Sequence, residues 1–183
     1  MVKAARARGI DISVEAYPYN SSATSIESLP DTWKNWPDSK FQSYEWAATG
    51  ERLTRETFAK YRQTGGLVIR HGENESLLIP AVISPLTMVA SDGILKNGVG
   101  HPRVAGTYAR VLGVYVREQK ALTLMEALRK MTVMPAQHLE VRVPEMKNKG
   151  RIALGADADI TIFNPDTIID RATFRSLPCR PRE

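Results

Sequence analysis

A chain of 183 residues suffices for a domain with a real core, but it falls short of the roughly 250 that a complete (β/α)8 barrel needs. With 43% hydrophobic and 25% charged residues, the composition is that of an ordinary globular protein rather than a disordered or membrane-spanning one. The formal net charge of +5 comes from scattered lysines and arginines without a zinc-finger, RNP or helix-turn-helix pattern, so it reads as solvated surface and not as a nucleic-acid face.

In chain order, Ile10, Ile12 and Val14 alternate with Asp11, Ser13 and Glu15, which predicts a strand ending near Tyr17. Residues 18–50 are rich in Ser, Pro, Asn and Trp without a sustained period, so they read as a long excursion with one short helix, the kind of segment that often forms a lid. Leu53, Thr57, Phe58 and Tyr61 predict a helix over residues 51–63, stopped by Gly65 and Gly66. A buried strand, LVIRH, follows, then a short helix over 75–82 and a second buried strand over 86–90 that runs into Ser91 and Asp92. Tyr108, Val111, Leu112 and Tyr115 share one helical face, and Thr123 with Glu126 forms a capping box ahead of an apolar stripe of Leu124, Met125, Leu128 and Met131. GRIALGADADITIF predicts two short strands around a turn. Strands alternating with helices imply parallel βα units, and the close-spaced strands at the end imply a small separate β element.

The block SDGILKNGVGHPRVAGTYAR concentrates the chemistry. Asp92 follows a short apolar run and precedes Gly93, which lets backbone or ligand approach closely. An acid so placed binds a divalent metal or takes a proton from water, although Ser-Asp-Gly is also a common turn. Arg103 offers a planar fork suited to a carboxylate and His101 a hydrogen bond or a titration near neutrality; a surface arginine and a satisfied loop histidine are the plainer readings on spacing alone. Arg110 reads as structural. His71, after a buried strand and before Gly72, reads either as a ligand or, more commonly, as a hydrogen-bonded structural histidine; His138 reads as structural, and Cys179 lacks the setting of an activated thiolate or a metal ligand. Trp33, Trp36 and Trp46 read either as an acyl pocket or, more commonly, as packing beneath a loop.

SDG, HPR and GTYARVLGVYVRE, with AYPYNSSATS upstream and TLMEALRKMT, PAQHL, KGRIALGADADITIFNP and DRATF downstream, resemble the N-acyl-D-amino-acid deacylases of the amidohydrolase superfamily from about Ile10 to Phe174. The resemblance implies an α/β fold: the C-terminal part of a (β/α)8 metal-dependent hydrolase barrel over 1–147, the start of a small β-sandwich over 148–174, and an irregular tail over 175–183. It implies zinc as cofactor and N-acyl-D-amino acids as substrates. Asp92 is then a metal ligand and the general base toward the attacking water. Arg103 and Tyr17 hold the substrate carboxylate, with His101 beside them in the substrate site. Ala23 stands where the family often has serine, and Ser22 is its nearest substitute.

The same resemblance marks what is not found in the chain. Its three histidines, at 71, 101 and 138, form no HxH pair, so most zinc ligands of the family would have to come from elsewhere. The reading is therefore of a C-terminal portion that works with a complementary N-terminal half or by self-association, or else of a catalytically inert fragment. The single cysteine excludes an internal disulfide and favours a reducing compartment, and MVKAARARGI contains no long apolar run. A cytoplasmic location with no membrane partner is the expectation.

Overall fold

A computed structural model describes residues 1–72, 75–96 and 98–175. The described residues divide into two compact units, one formed by residues 1–18, 79–91 and 107–170 and the other by residues 19–72, 75–78, 92–96, 98–106 and 171–175. Cys179 lies outside the described residues.

In the first unit, the strand Val14–Ala16 pairs in parallel with Thr87–Val89, with Val14 opposite Thr87 and Ala16 opposite Val89. The first strand thus begins later than its alternation predicts. Ile10 is exposed, so the apolar alternation at residues 10–13 has no buried face to serve. Val89 packs with Val82, Val111, Leu112, Tyr115, Leu122 and Ala127 in one continuous core. Residues 107–110 close the helix Arg103–Arg110 and run on through the wider turns of Val111–Glu118, where Gln119 N–H reaches the Val114 carbonyl five residues back at 2.8 Å. Gly113 is required there: a Cβ would stand 2.8 Å from the Ile168 carbonyl oxygen.

The helix Leu124–Met131 starts at the predicted capping box. Thr123 Oγ1 accepts from Glu126 N–H at 3.2 Å and Glu126 Oε2 accepts from Thr123 N–H at 2.8 Å. The Thr123 N–H and, at 2.7 Å, the Thr123 hydroxyl both donate to Glu126 Oε2 and hold its carboxyl below the usual range. Thr123→Ala is expected to cost about 1 kcal/mol, read as a lower thermal midpoint by far-ultraviolet circular dichroism. One residue of this helix was not anticipated. Lys130 is buried, and its Nζ donates to the carbonyls of Ser84 and Thr87, 2.9 Å for the latter, so the lysine satisfies carbonyls at the start of the Thr87–Val89 strand. Burial lowers its pKa.

Residues 151–170 carry no strand, contrary to the two that their pattern predicts. Ile152, Leu154, Ile160 and Ile162 are exposed, and an alternating segment becomes a strand only when a neighbour supplies backbone partners and covers its apolar face.

The second unit is built on a four-stranded antiparallel sheet in the order Ser21–Ser25, Leu67–His71, Tyr44–Trp46, Glu51–Arg52. LVIRH is therefore antiparallel to both neighbours, and not part of a parallel βα unit. The excursion expected at 18–50 supplies two of the four strands, and the helix expected from residue 51 starts only at Arg55 and runs to Thr64. Both differences have one cause. Buried Leu67, Val68 and Ile69 form a strand that recruits partners on each side, and SSATS is too polar to show a period of its own. Ile26, Trp36, Phe41, Tyr44, Leu53, Phe58 and Val68 form the core beside the sheet. Trp36 stacks on Tyr44 at 5.5 Å and Trp46 on Tyr61 at 4.2 Å, so these tryptophans pack the excursion down.

Candidate functional site

Asp92 has a backbone φ of +46°, in the left-handed region that few residues other than glycine, asparagine and aspartate enter readily. Gly93 next to it lies so close to the helix Arg103–Arg110 that a Cβ would stand 2.9 Å from Val104 Cα. This close approach, the one the Asp-Gly pair suggests in sequence, brings Asp92 to the start of the helix. Its Oδ2 accepts from Arg103 Nη2 at 2.9 Å, while the carboxylate side chain stays 64% exposed.

Arg103 and His101 do not stand in an open loop as the sequence suggests. Arg103 is 1% exposed and opens the helix; besides Asp92, its Nη2 donates to the Ala23 carbonyl at 3.2 Å. His101 is 0% exposed. Its Nδ1 accepts from Arg103 N–H at 3.0 Å, its Nε2 lies 2.6 Å from Ser21 Oγ, and Tyr19 and Phe174 stand edge-on to the ring at 5.3 and 5.1 Å. Burial, then the Arg103 guanidinium and His71, push its pKa down to about 3 against an opposing hydrogen bond to the Ser21 backbone. The expectation that His101 titrates near neutrality is corrected: desolvation and a cationic neighbour keep it uncharged. An unfolded chain takes up this proton near 6.5 and the folded one only near 3, so stability is expected to fall as pH drops across that window.

Ser21, not Ser22, supplies the hydroxyl at this cluster. Successive strand residues point to opposite faces, which turns Ser22 to the other side. Ala23 contributes its carbonyl, a group that any residue at that position would offer, so the missing family serine costs this contact nothing. Tyr17 directly follows the strand Val14–Ala16 and belongs to the first unit, whereas Asp92, His101, Arg103 and Ser22 belong to the second. His71 Nε2 lies 3.0 Å from the buried Glu45 carboxylate, a pair that sequence spacing did not signal because 26 residues separate its members. Burial, then Arg52, lower the His71 pKa, opposed by Glu45.

Among the described residues, no three His, Cys, Asp or Glu side chains come together as a group able to hold a metal ion. Asp92 would offer a zinc ion one carboxylate, against the three or four protein ligands of known zinc sites, so the described residues alone do not fit zinc. Their chemistry is that of an exposed carboxylate fixed by a buried guanidinium.

The comparison with known proteins matches residues 82–181 to the amidohydrolase family. The chain belongs to the amidohydrolase family. It is 35% identical over 181 residues to the N-acyl-D-glutamate deacylase of Alcaligenes xylosoxydans xylosoxydans, covering 93% of this chain and 36% of that protein. The D-aminoacylase of the same organism is 28% identical over 183 residues, covering 95% and 36%. A crystal structure of N-acyl-D-glutamate deacylase from Bordetella bronchiseptica, complexed with zinc and a phosphonate mimic of the tetrahedral intermediate, matches with a TM-score of 0.78 and 29% identity. That match covers 94% of this chain and 37% of the other. The fold is thus an amidohydrolase fold of mixed α and β content, and the chain spans a little over a third of the length of these relatives. No helix among the described residues is long and apolar enough to cross a membrane.

Proposed function

We propose that this chain carries the proton-transfer carboxylate of a hydrolase that cleaves the carbon–nitrogen amide bond of N-acyl-D-amino acids. The observation that carries this reading is the Asp92–Arg103 pair at 2.9 Å, which joins the SDG and HPR motifs across ten residues of chain and leaves the carboxylate open to solvent. Asp92 takes a proton from the attacking water and passes it to the leaving nitrogen, so that the C–N bond breaks to a carboxylate and a D-amino acid. Arg103 holds Asp92 in place and puts a positive charge beside it, which favours a substrate that bears its own carboxylate. The resemblance assigns Tyr17 to that carboxylate as well, whereas Ser22, turned to the opposite face of its strand from Ser21, is no longer a candidate. Zinc, named for the Bordetella enzyme, would need ligands beyond those described here.

The parallel pair Val14–Ala16 and Thr87–Val89 supports a place in a (β/α)8 barrel, and exposed Ile152, Leu154, Ile160 and Ile162 support a β-sandwich strand face awaiting a partner. A second reading, in which the chain alone is catalytically inert and partner-dependent, is favoured by the lack of a metal-holding group among the described residues. One experiment separates the two. The purified chain is assayed for zinc content and for hydrolysis of N-acetyl-D-glutamate, N-acetyl-D-leucine and their L enantiomers. D-selective turnover with stoichiometric zinc supports the deacylase reading of this chain by itself. Turnover only after a complementary polypeptide is added supports the second, and L-selective turnover defeats both.

A further inference from the structure

The neighbourhood of His101 holds a device that the proposed proton transfer does not use. Arg103 N–H is a donor and can only give, so the Nδ1 it meets carries a lone pair, and the proton of the neutral ring must sit on Nε2. Nε2–H therefore donates to Ser21 Oγ at 2.6 Å. This direction excludes a serine–histidine nucleophile, because the ring nitrogen facing Ser21 has no lone pair with which to accept the hydroxyl proton. The ring plane is fixed by the edge-on Tyr19 and Phe174 at 84° and 82°. Protonating the ring would aim Nδ1–H at another donor and place a cation beside a guanidinium.

The strand Ser21–Ser25 holds the two polar residues of the HPR motif, His101 and Arg103, at once. Ser21 fixes His101 through its hydroxyl, and Ala23 fixes Arg103 through its carbonyl. His101 in turn satisfies the N–H of Arg103, the first residue of its helix and one of the donors that a helix start leaves without an intrahelical partner. Backbone and guanidinium of Arg103 are thereby pinned at two points, and the guanidinium meets Asp92 Oδ2.

We propose that His101 is a positioning residue, held as the Nε2–H tautomer between Ser21 and the Arg103 backbone, that fixes the start of its helix so that Arg103 holds Asp92. This assignment rests on the proposed role of Asp92 only for its catalytic consequence. Its geometry stands apart from that role.

The test uses the full chain labelled with 15N. Long-range 1H–15N correlation of the imidazoles is expected to show His101 as the Nε2–H tautomer and unprotonated from pH 7 to about 4.5, whereas an unperturbed histidine would titrate near 6.5. An Nδ1–H tautomer, or titration of His101 near 6.5, overturns the proposal. His101→Asn places Oδ1 where Nδ1 was and is expected to retain the protected Arg103 guanidinium resonance seen in the parent chain. His101→Phe keeps a ring but removes the acceptor, and is expected to lose that resonance. If His101→Phe does not fold, His101→Asn decides: loss of the Arg103 resonance in a folded His101→Asn chain overturns the proposal, as does its retention in a folded His101→Phe chain. Where the chain turns over an N-acyl-D-amino acid, His101→Phe is expected to lower kcat about tenfold with little change in KM, and His101→Asn to restore most of it. A chain with the predicted tautomer and Arg103 resonance but no turnover under any assay condition supports the positioning role and sinks the deacylase reading instead.

Discussion

Phe58→Ala is expected to lower the unfolding free energy of the second unit by about 4 kcal/mol. Phe58 is fully buried on the helix Arg55–Thr64, and its ring lies 5.3 Å from Trp33, 5.6 Å from Trp36, 5.3 Å from Phe41 and 6.0 Å from Tyr44. Removing the ring takes away its burial and its aromatic contacts, each of the latter worth about 0.5–1.5 kcal/mol beyond area. The neighbours that would have to collapse into the gap are themselves large flat rings held by one another, so little of the loss is recovered. Phe58→Leu refills part of the space and should cost clearly less. The chain's three tryptophans all lie in the second unit, so urea unfolding followed by tryptophan fluorescence reads this unit selectively. A loss below about 1 kcal/mol would show that the aromatic cluster repacks and is not the centre of this core.

The same cluster shows where sequence reading succeeds and where it stops. Phe58 and Tyr61 at helical spacing, the capping box of Thr123 and Glu126, and the buried LVIRH run are all local signals, and each appears in the structure as an element of the expected kind. Pairing is not local. SSATS becomes a strand because Leu67–His71 offers it backbone partners some 45 residues away, and its own side chains carry no trace of that. The apolar alternation of residues 152–162 errs in the opposite direction, being a strand pattern without a partner among the described residues.

The site divides in the same way. The turn at Asp92 is legible because an acid before glycine at the end of an apolar run announces one, and its positive φ agrees; its part in proton transfer is the proposal made above. The partnership of Asp92 with Arg103 is only half legible. The residue types are right, but Arg103 turns inward onto a carbonyl of a strand 80 residues earlier in the chain, and no spacing rule predicts that burial. Ser21 and Glu45 escaped notice for the same reason: each becomes interesting only through a histidine distant in sequence.

On the proposed deacylase reading, Asp92→Asn is expected to reduce kcat for N-acyl-D-amino-acid hydrolysis about 10²–10⁴-fold, the range lost with a general acid–base group. Asparagine is the informative substitution for two reasons. It tolerates the left-handed backbone that Asp92 adopts at φ +46°, whereas alanine would add backbone strain to the chemical loss. It also keeps an oxygen able to accept from Arg103 Nη2 while removing the basicity needed to take a proton. The stability cost separates this effect from unfolding. Breaking a fully buried ion pair costs about 3–5 kcal/mol, but the Asp92 side chain is 64% exposed, so water replaces what the pair loses and about 1 kcal/mol or less is expected. Arg103→Ala should show the reverse balance. It removes a side chain that is 1% exposed, together with its bond to the Ala23 carbonyl, and should cost about 3 kcal/mol of stability. An Asp92→Asn chain that keeps more than about a tenth of parental kcat would remove Asp92 from the proton transfer and leave its pairing with Arg103 a structural clasp.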